Sequence, residues 1–199
     1  MVVTACLRWF AFAAMLSLLL IYFKGGTSLL RDIRQSVRST GSYYSTVLIL
    51  LMFPIGLVIM TIQFLVCLGY LQAQLLLNEP WVVLAGMLLT VMAVSVSYWF
   101  RFRYLKNAWD GQVVVYANQQ VVDSGPYRVV RHPLYAASLG IYLGISLAFA
   151  IWWNWVACAL MLVGYILLTG YEDSFLTRKL PGYTAYRARV RYRLIPGIW

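Results

Sequence analysis

Ser124-Gly125-Pro126-Tyr127-Arg128-Val129-Val130-Arg131-His132-Pro133-Leu134-Tyr135 gathers the densest polar chemistry of the chain directly before an apolar span. Gly125-Pro126 reads as a turn and His132-Pro133 as the start of a helix. Proline fixes φ, lacks the donor that a first helical turn leaves unused, and disfavours helix in the residue before it. Tyr127, Arg128, Arg131 and His132 are therefore expected at the mouth of a membrane helix. There they face first-turn N–H groups, which attract anions.

Outward from that stretch the chain is too apolar for an ordinary soluble domain, with 62% of its 199 residues hydrophobic and 11% charged. A bilayer core takes roughly 20 apolar residues per helical span. Runs of that kind lie at 3–23, 44–71, 81–100, 133–151 and 155–170. They predict an all-α integral membrane protein of about five transmembrane helices. Residues 1–23 do not read as a signal peptide: Arg8 is the single n-region charge and Ile21-Tyr22-Phe23-Lys24 is no small-residue cleavage site.

Charge gives an independent check on the spans. All Lys and Arg except Arg8 fall at 24–43, at 101–132 or in the tail beyond 176, and five spans put these segments on one face. The opposite loops, 72–79 and 152–154, carry none, so the basic face, with the C-terminus, is expected to be cytoplasmic. The net charge of +10 is thus assigned to orientation and lipid headgroups, not to nucleic acid. Cys6, Cys67 and Cys158 lie in apolar segments without Cys/His spacing, which leaves small buried hydrophobes and no metal site.

Two regions follow. Residues 1–100 hold spans 1–3 and an interfacial helix at 28–39, where Leu29, Leu30, Ile33 and Val37 recur at helical spacing among Arg31, Arg34 and Arg38. Pro54 and Gly56 can kink the second span, Gln63 is expected to face another helix, and Gly86 permits close helix contact in the third. Residues 101–199 hold a connector, spans 4 and 5, and a C-terminal amphipathic helix. The alternation at 112–116 suggests a short strand in an ordered cytoplasmic cap. Neither a Gly-x-Gly-x-x-Gly loop nor a Walker sequence is present, which excludes a soluble nucleotide-binding domain.

In the fourth span Gly140 and Gly144 let a helix or a flat ligand approach the backbone. Trp152-Trp153-Asn154-Trp155 reads as an interfacial aromatic belt, and the fifth span ends at Gly170. Glu172-Asp173 then puts two carboxylates at the boundary, where such acids need basic partners; Arg131 and His132 are the candidates. From Leu176 to Arg193, Tyr183, Tyr186 and Val190 share one face of a basic helix expected on the membrane surface, and Leu194-Ile195-Pro196-Gly197 ends it.

The combination Gly-Pro-Tyr-Arg-x-x-Arg-His-Pro-x-Tyr at 125–135, Glu172-Asp173-x-x-Leu176, Tyr183-x-x-Tyr186 and Ile195-Pro196 resembles the isoprenylcysteine carboxyl methyltransferase family and its relatives among membrane phospholipid methyltransferases. The resemblance covers 105–197. It implies a membrane enzyme that binds S-adenosylmethionine between the connector, the ends of the last two spans and the tail. By matching positions, Gly125, Tyr127, Arg131, His132, Pro133, Tyr135, Gly140, Glu172 and Asp173 would line that pocket, with Val122 from the connector. Gln119 stands where the family often has His, and glutamine accepts no proton at neutral pH. Arg131, Glu172 and the tail's Arg191 would carry the catalytic roles, the arginines holding an anionic acceptor.

The resemblance further implies a lipidic, prenylated or small acceptor like isoprenylcysteine carboxylate. The alternatives are N-methylation of a phospholipid amine, a sterol-reductase-like enzyme using a reduced nicotinamide, or a non-catalytic membrane protein. A transporter is disfavoured by span interiors without acids or bases, Arg8 near one end excepted. Oligomeric state does not follow from these residues.

Overall fold

The computed structural model describes residues 3–17, 43–70, 79–105, 115 and 119–199. The expected interfacial helix at 28–39 and the strand at 112–116 lie outside the described residues, Val115 excepted. Helix α1 is Val3–Ser17, α2 Tyr43–Cys67, α3 Pro80–Phe100, α4 Pro133–Phe149, α5 Trp152–Lys179 and α6 Tyr183–Arg189. A π-helical turn, Arg101–Leu105, prolongs α3, and a short 3-10 turn, Gly125–Arg128, precedes α4. No strand occurs among the described residues; one parallel bridge joins Val130 to Tyr192.

Two of these helices are long and apolar enough to cross a membrane, Pro80–Leu105 and Trp152–Lys179. The sequence expectation ended the last apolar run at Gly170. Instead α5 starts at Trp152, inside the expected aromatic belt, and continues through Glu172 and Asp173 to Lys179. At 1.5 Å per residue its 28 residues reach about 42 Å, longer than a hydrocarbon core of roughly 30 Å. Glu172 and Asp173 lie within its last eight residues.

Both proline-led starts are where the sequence puts them. Pro80 and Pro133 occupy the first turns of α3 and α4. Only two residues link α4 to α5, with Ala150 in the left-handed region at φ 47. The apolar core draws on α1 through α5: Phe12, Met60, Val94, Ile145, Phe149 and Ala157 are all buried in it. Arg8, on α1, joins it by donating from Nε to Ala148 O at 3.1 Å.

The tightest packing is between α3 and α4. A Cβ at Gly86 would stand 2.3 Å from Ala148 N, and one at Gly144 would stand 2.5 Å from Thr90 Oγ1 and 2.7 Å from Thr90 N. Both neighbours include backbone, which cannot swing aside, so the two glycines set the helix separation. Gly140 lies on the same contact, its would-be Cβ 3.2 Å from Ala93 Cβ. Gln63 is fully buried as expected of a residue facing the bundle, yet its amide makes no hydrogen bond to another helix.

Substituting Gly144→Ala should push α3 from α4 and cost about 1–3 kcal/mol, the usual penalty of overpacking. Gly170→Ala, where nothing lies within 4 Å, is the control. Thermal unfolding in detergent should show a lower midpoint for the first variant alone; equal midpoints would contradict the packing.

Candidate active site

Pro133 fixes the geometry on which the site is built. Because α4 begins there, Arg131 and His132 stay outside the helix, and their N–H groups need acceptors elsewhere. The tail supplies them: Arg131 N donates to Tyr192 O and His132 N to Arg193 O, both at 2.9 Å. Arg131 Nη1 also donates to Val190 O at 2.7 Å and Arg191 O at 2.8 Å, capping carbonyls left open where α6 ends. Residues 190–193 thus form a strap across the mouth of α4.

Under the strap sits Asp173, fully buried. Its Oδ1 accepts from Arg131 Nε at 3.1 Å, His132 Nε2 at 3.0 Å and the Tyr183 hydroxyl at 2.7 Å. Its Oδ2 accepts from Arg131 Nη2 and Arg193 Nε, each at 2.7 Å. Arg131 is thereby clamped in the two-pronged geometry that planar guanidinium and carboxylate groups favour. Four of its five N–H groups are committed.

Glu172, one residue earlier, points elsewhere because successive helix positions diverge by about 100°. Its Oε2 is buried and makes no hydrogen bond, although His132 Nδ1 approaches to 3.5 Å. The Tyr135 hydroxyl bonds the Glu172 carboxyl, and the Tyr135 ring stacks between His132, 5.8 Å away, and Tyr165, 5.3 Å away. Among the described residues no donor reaches Oε2 within hydrogen-bonding distance.

Tyr183 and Tyr186 belong to the same closure. Burial, reinforced for Tyr183 by the Asp173 charge, raises both phenols well above the ordinary tyrosine range. They are kept as neutral donors, Tyr186 to Tyr127 O at 2.8 Å. Leu180, Tyr183, Tyr186 and Val190 pack against Val115, Val121 and Leu176. The expected surface helix is corrected accordingly: Pro181-Gly182 breaks it, with Gly182 at φ 84, and its apolar face is spent on the connector and not on lipid.

The other expected site residues are distributed unevenly. Tyr127 and Pro133 are buried beside the cluster. Gly125 is exposed at φ 57 and serves the turn, since a Cβ would meet the Tyr104 ring at 2.3 Å. Gln119 lines a cleft of about 340 Å³ between connector and α6, with Val121, Asp123, Gly182, Tyr186 and Arg189. Val122 is not part of that lining, nor are Arg131, His132, Glu172 and Asp173.

Arg191 is exposed, and the tail arginine that reaches the acids is Arg193. Nothing in the local sequence separates these two arginines; the Val130–Tyr192 bridge chooses between them. Tyr183 was legible only as part of a repeated Tyr spacing. Among the described residues no group of acids, histidines and cysteines could hold a metal ion.

Removing the charge with Asp173→Asn should cost about 3–5 kcal/mol, since it strands the buried guanidinium of Arg131. Glu172→Gln should cost far less, because Oε2 has no partner to lose. Unfolding midpoints compared side by side test this, and equal losses would count against Asp173 as the hub.

Residues 81–181, just over half the chain, match the family model described as Phospholipid methyltransferase. That segment runs from α3 to the end of α5 and contains Arg131, His132, Glu172 and Asp173; Tyr183 and Arg193 follow it. No curated protein matches the chain.

Proposed function

Because the chain belongs to the phospholipid methyltransferase family, we propose that it is a membrane methyltransferase that uses S-adenosylmethionine and acts on a lipid-linked carboxylate of the isoprenylcysteine type. The observation that carries this is Glu172 Oε2, buried without a hydrogen-bond partner. A buried carboxylate oxygen without a partner costs free energy that an ammonium or hydroxyl group placed there would recover. S-adenosylmethionine has both kinds of donor, so the residues present fit it.

When bound, this cofactor supplies a methyl group on a sulfonium sulfur, and transfer is an in-line displacement in which the S–CH3 bond breaks as the acceptor–CH3 bond forms. The protein's part is positioning and charge complementarity. Glu172, held by the Tyr135 hydroxyl, receives the cofactor's donor. Arg193 takes the role expected of Arg191: Asp173 fixes its Nε while its guanidinium lies 4.7 Å from the Trp199 ring centroid. A guanidinium so placed orients an acceptor carboxylate. Arg131 and Asp173 act as positioning residues that keep Arg193 and His132 in place. The five-span topology with a cytoplasmic site belongs to the same proposal, supported by the one-sided distribution of Lys and Arg.

Titrating the purified protein in nanodiscs with S-adenosylmethionine should give saturable heat, and Glu172→Gln should weaken it at least roughly tenfold, the worth of a charge-assisted hydrogen bond. With methyl-labelled cofactor, label should pass to a prenylcysteine; label appearing in phosphatidylethanolamine instead would select the amine alternative. Absence of binding by the folded wild-type protein would sink both.

A further inference from the structure

We propose that the turn closing the strap, Ile195 and Ile198 together with Val129 and Tyr192, seats on an anionic phospholipid surface through the flanking Arg128 and Arg191, and that this seat holds the strap closed over Asp173. The inference rests on α5 being a membrane span and is independent of the methyl-transfer reading.

The turn is built, not loose. Arg193, Leu194 and Ile195 all donate their N–H groups to Trp199 O, and Ile198 N donates to Ile195 O. Gly197, at φ 82, allows the reversal. Leu194 is buried, whereas Ile195 is 43% and Ile198 77% exposed, so the turn has one anchored side and one free apolar side. Tyr192, 39% exposed, is bridged to Val130, whose neighbour Val129 is 52% exposed.

Depth identifies the occupant. The strap is bonded to Arg131 and His132, directly before α4, and to Asp173 on α5. Counting 1.5 Å per residue from Trp152, Asp173 lies about 31 Å along α5, one hydrocarbon thickness from its start. Trp99 and Phe102, both exposed at the corresponding end of α3, mark the same level, as aromatic side chains do at a bilayer interface. Large apolar side chains at that depth meet the boundary between acyl chains and headgroups.

Charge selects the lipid. Arg128 and Arg191 are exposed next to Val129 and Tyr192, while Asp123, the nearby acid on the connector, is already paired with Arg189. Each arginine near an anionic leaflet strengthens attachment roughly fivefold. The strap that carries this surface also provides the carbonyls of Val190 and Arg191 to Arg131 and the Nε of Arg193 to Asp173. Lipid contact on its outer side therefore holds the donors on its inner side.

The test places a nitroxide at Ile198→Cys in the full chain, with Cys6, Cys67 and Cys158 replaced by Ala. The protein is reconstituted in nanodiscs of phosphatidylcholine, with or without phosphatidylserine. Power saturation should show the label more accessible to oxygen than to a water-soluble nickel chelate, and deeper with phosphatidylserine. Arg128→Gln with Arg191→Gln should abolish the phosphatidylserine effect. A label equally open to nickel in both lipids would overturn the proposal, as would one shielded from both reagents, which means a protein partner or a second copy. Hydrogen exchange of the unsubstituted chain gives the same answer without labelling: amides of 192–198 should exchange severalfold more slowly with phosphatidylserine, and equal rates would refute the seat. Neither readout depends on methyl transfer.

Discussion

A carboxylate with no solvent exposure is among the most expensive groups a protein can bury, and Asp173 is such a group. It is tolerable only if its lone pairs are filled and its charge is countered, and the surrounding architecture does both. Arg131 and His132 come from the mouth of α4, Tyr183 from α6 and Arg193 from the strap, so one side chain ties together segments far apart in sequence. The dependence also runs outward. Arg131, drawn in by Asp173, spends its remaining donors on Val190 and Arg191 carbonyls, and these define where the strap runs. Two permanent guanidiniums, Arg131 and Arg193, stand against the Asp173 carboxylate.

Much of this was legible wherever backbone chemistry is local. Proline at 80 and 133 sets a helix start in any context, and Gly125 meets both a positive φ and a ring within contact distance. The pairing of the 131–132 stretch with the acids after the last apolar run was also readable, because charges at a membrane boundary need partners. What the sequence hid was decided by tertiary contact. Glu172 and Asp173 look like the end of a span, yet α5 continues because its partners cover the charge of Asp173. A helical pattern through Arg193 is broken by Pro181-Gly182, and the choice of Arg193 over Arg191 falls to one bridge at Tyr192.

The two ends of the bundle treat polar groups in opposite ways. Away from the strap, Gln63 and Asn154 are buried with amides that no other residue satisfies, and the helices are held by dispersion and close backbone approach at Gly86 and Gly144. Around Asp173 almost every donor is used. Unsatisfied amides in the apolar end weaken it without creating charge, whereas one missing donor at Asp173 would leave an ion stranded. The bundle can therefore vary in its packing end while its polar end is held to a single arrangement.

The adjacency of Glu172 and Asp173 is what lets one helix terminus serve structure and chemistry together. Two identical acids side by side on a flat surface would compete for the same cations. On a helix they diverge, so Asp173 takes the inward direction and collects Arg131, His132, Tyr183 and Arg193, while Glu172 turns to the rim with only Tyr135 on its carboxyl. His132 joins the two, one ring nitrogen toward each, so the ring orientation that Asp173 fixes also fixes the nitrogen that Glu172 faces. An acid that is fully satisfied cannot recognise a ligand, and an acid that is unsatisfied cannot hold a fold. Placing one of each on consecutive residues keeps the vacant acceptor rigid, which is what a site needs if binding is not to begin by ordering its own side chains.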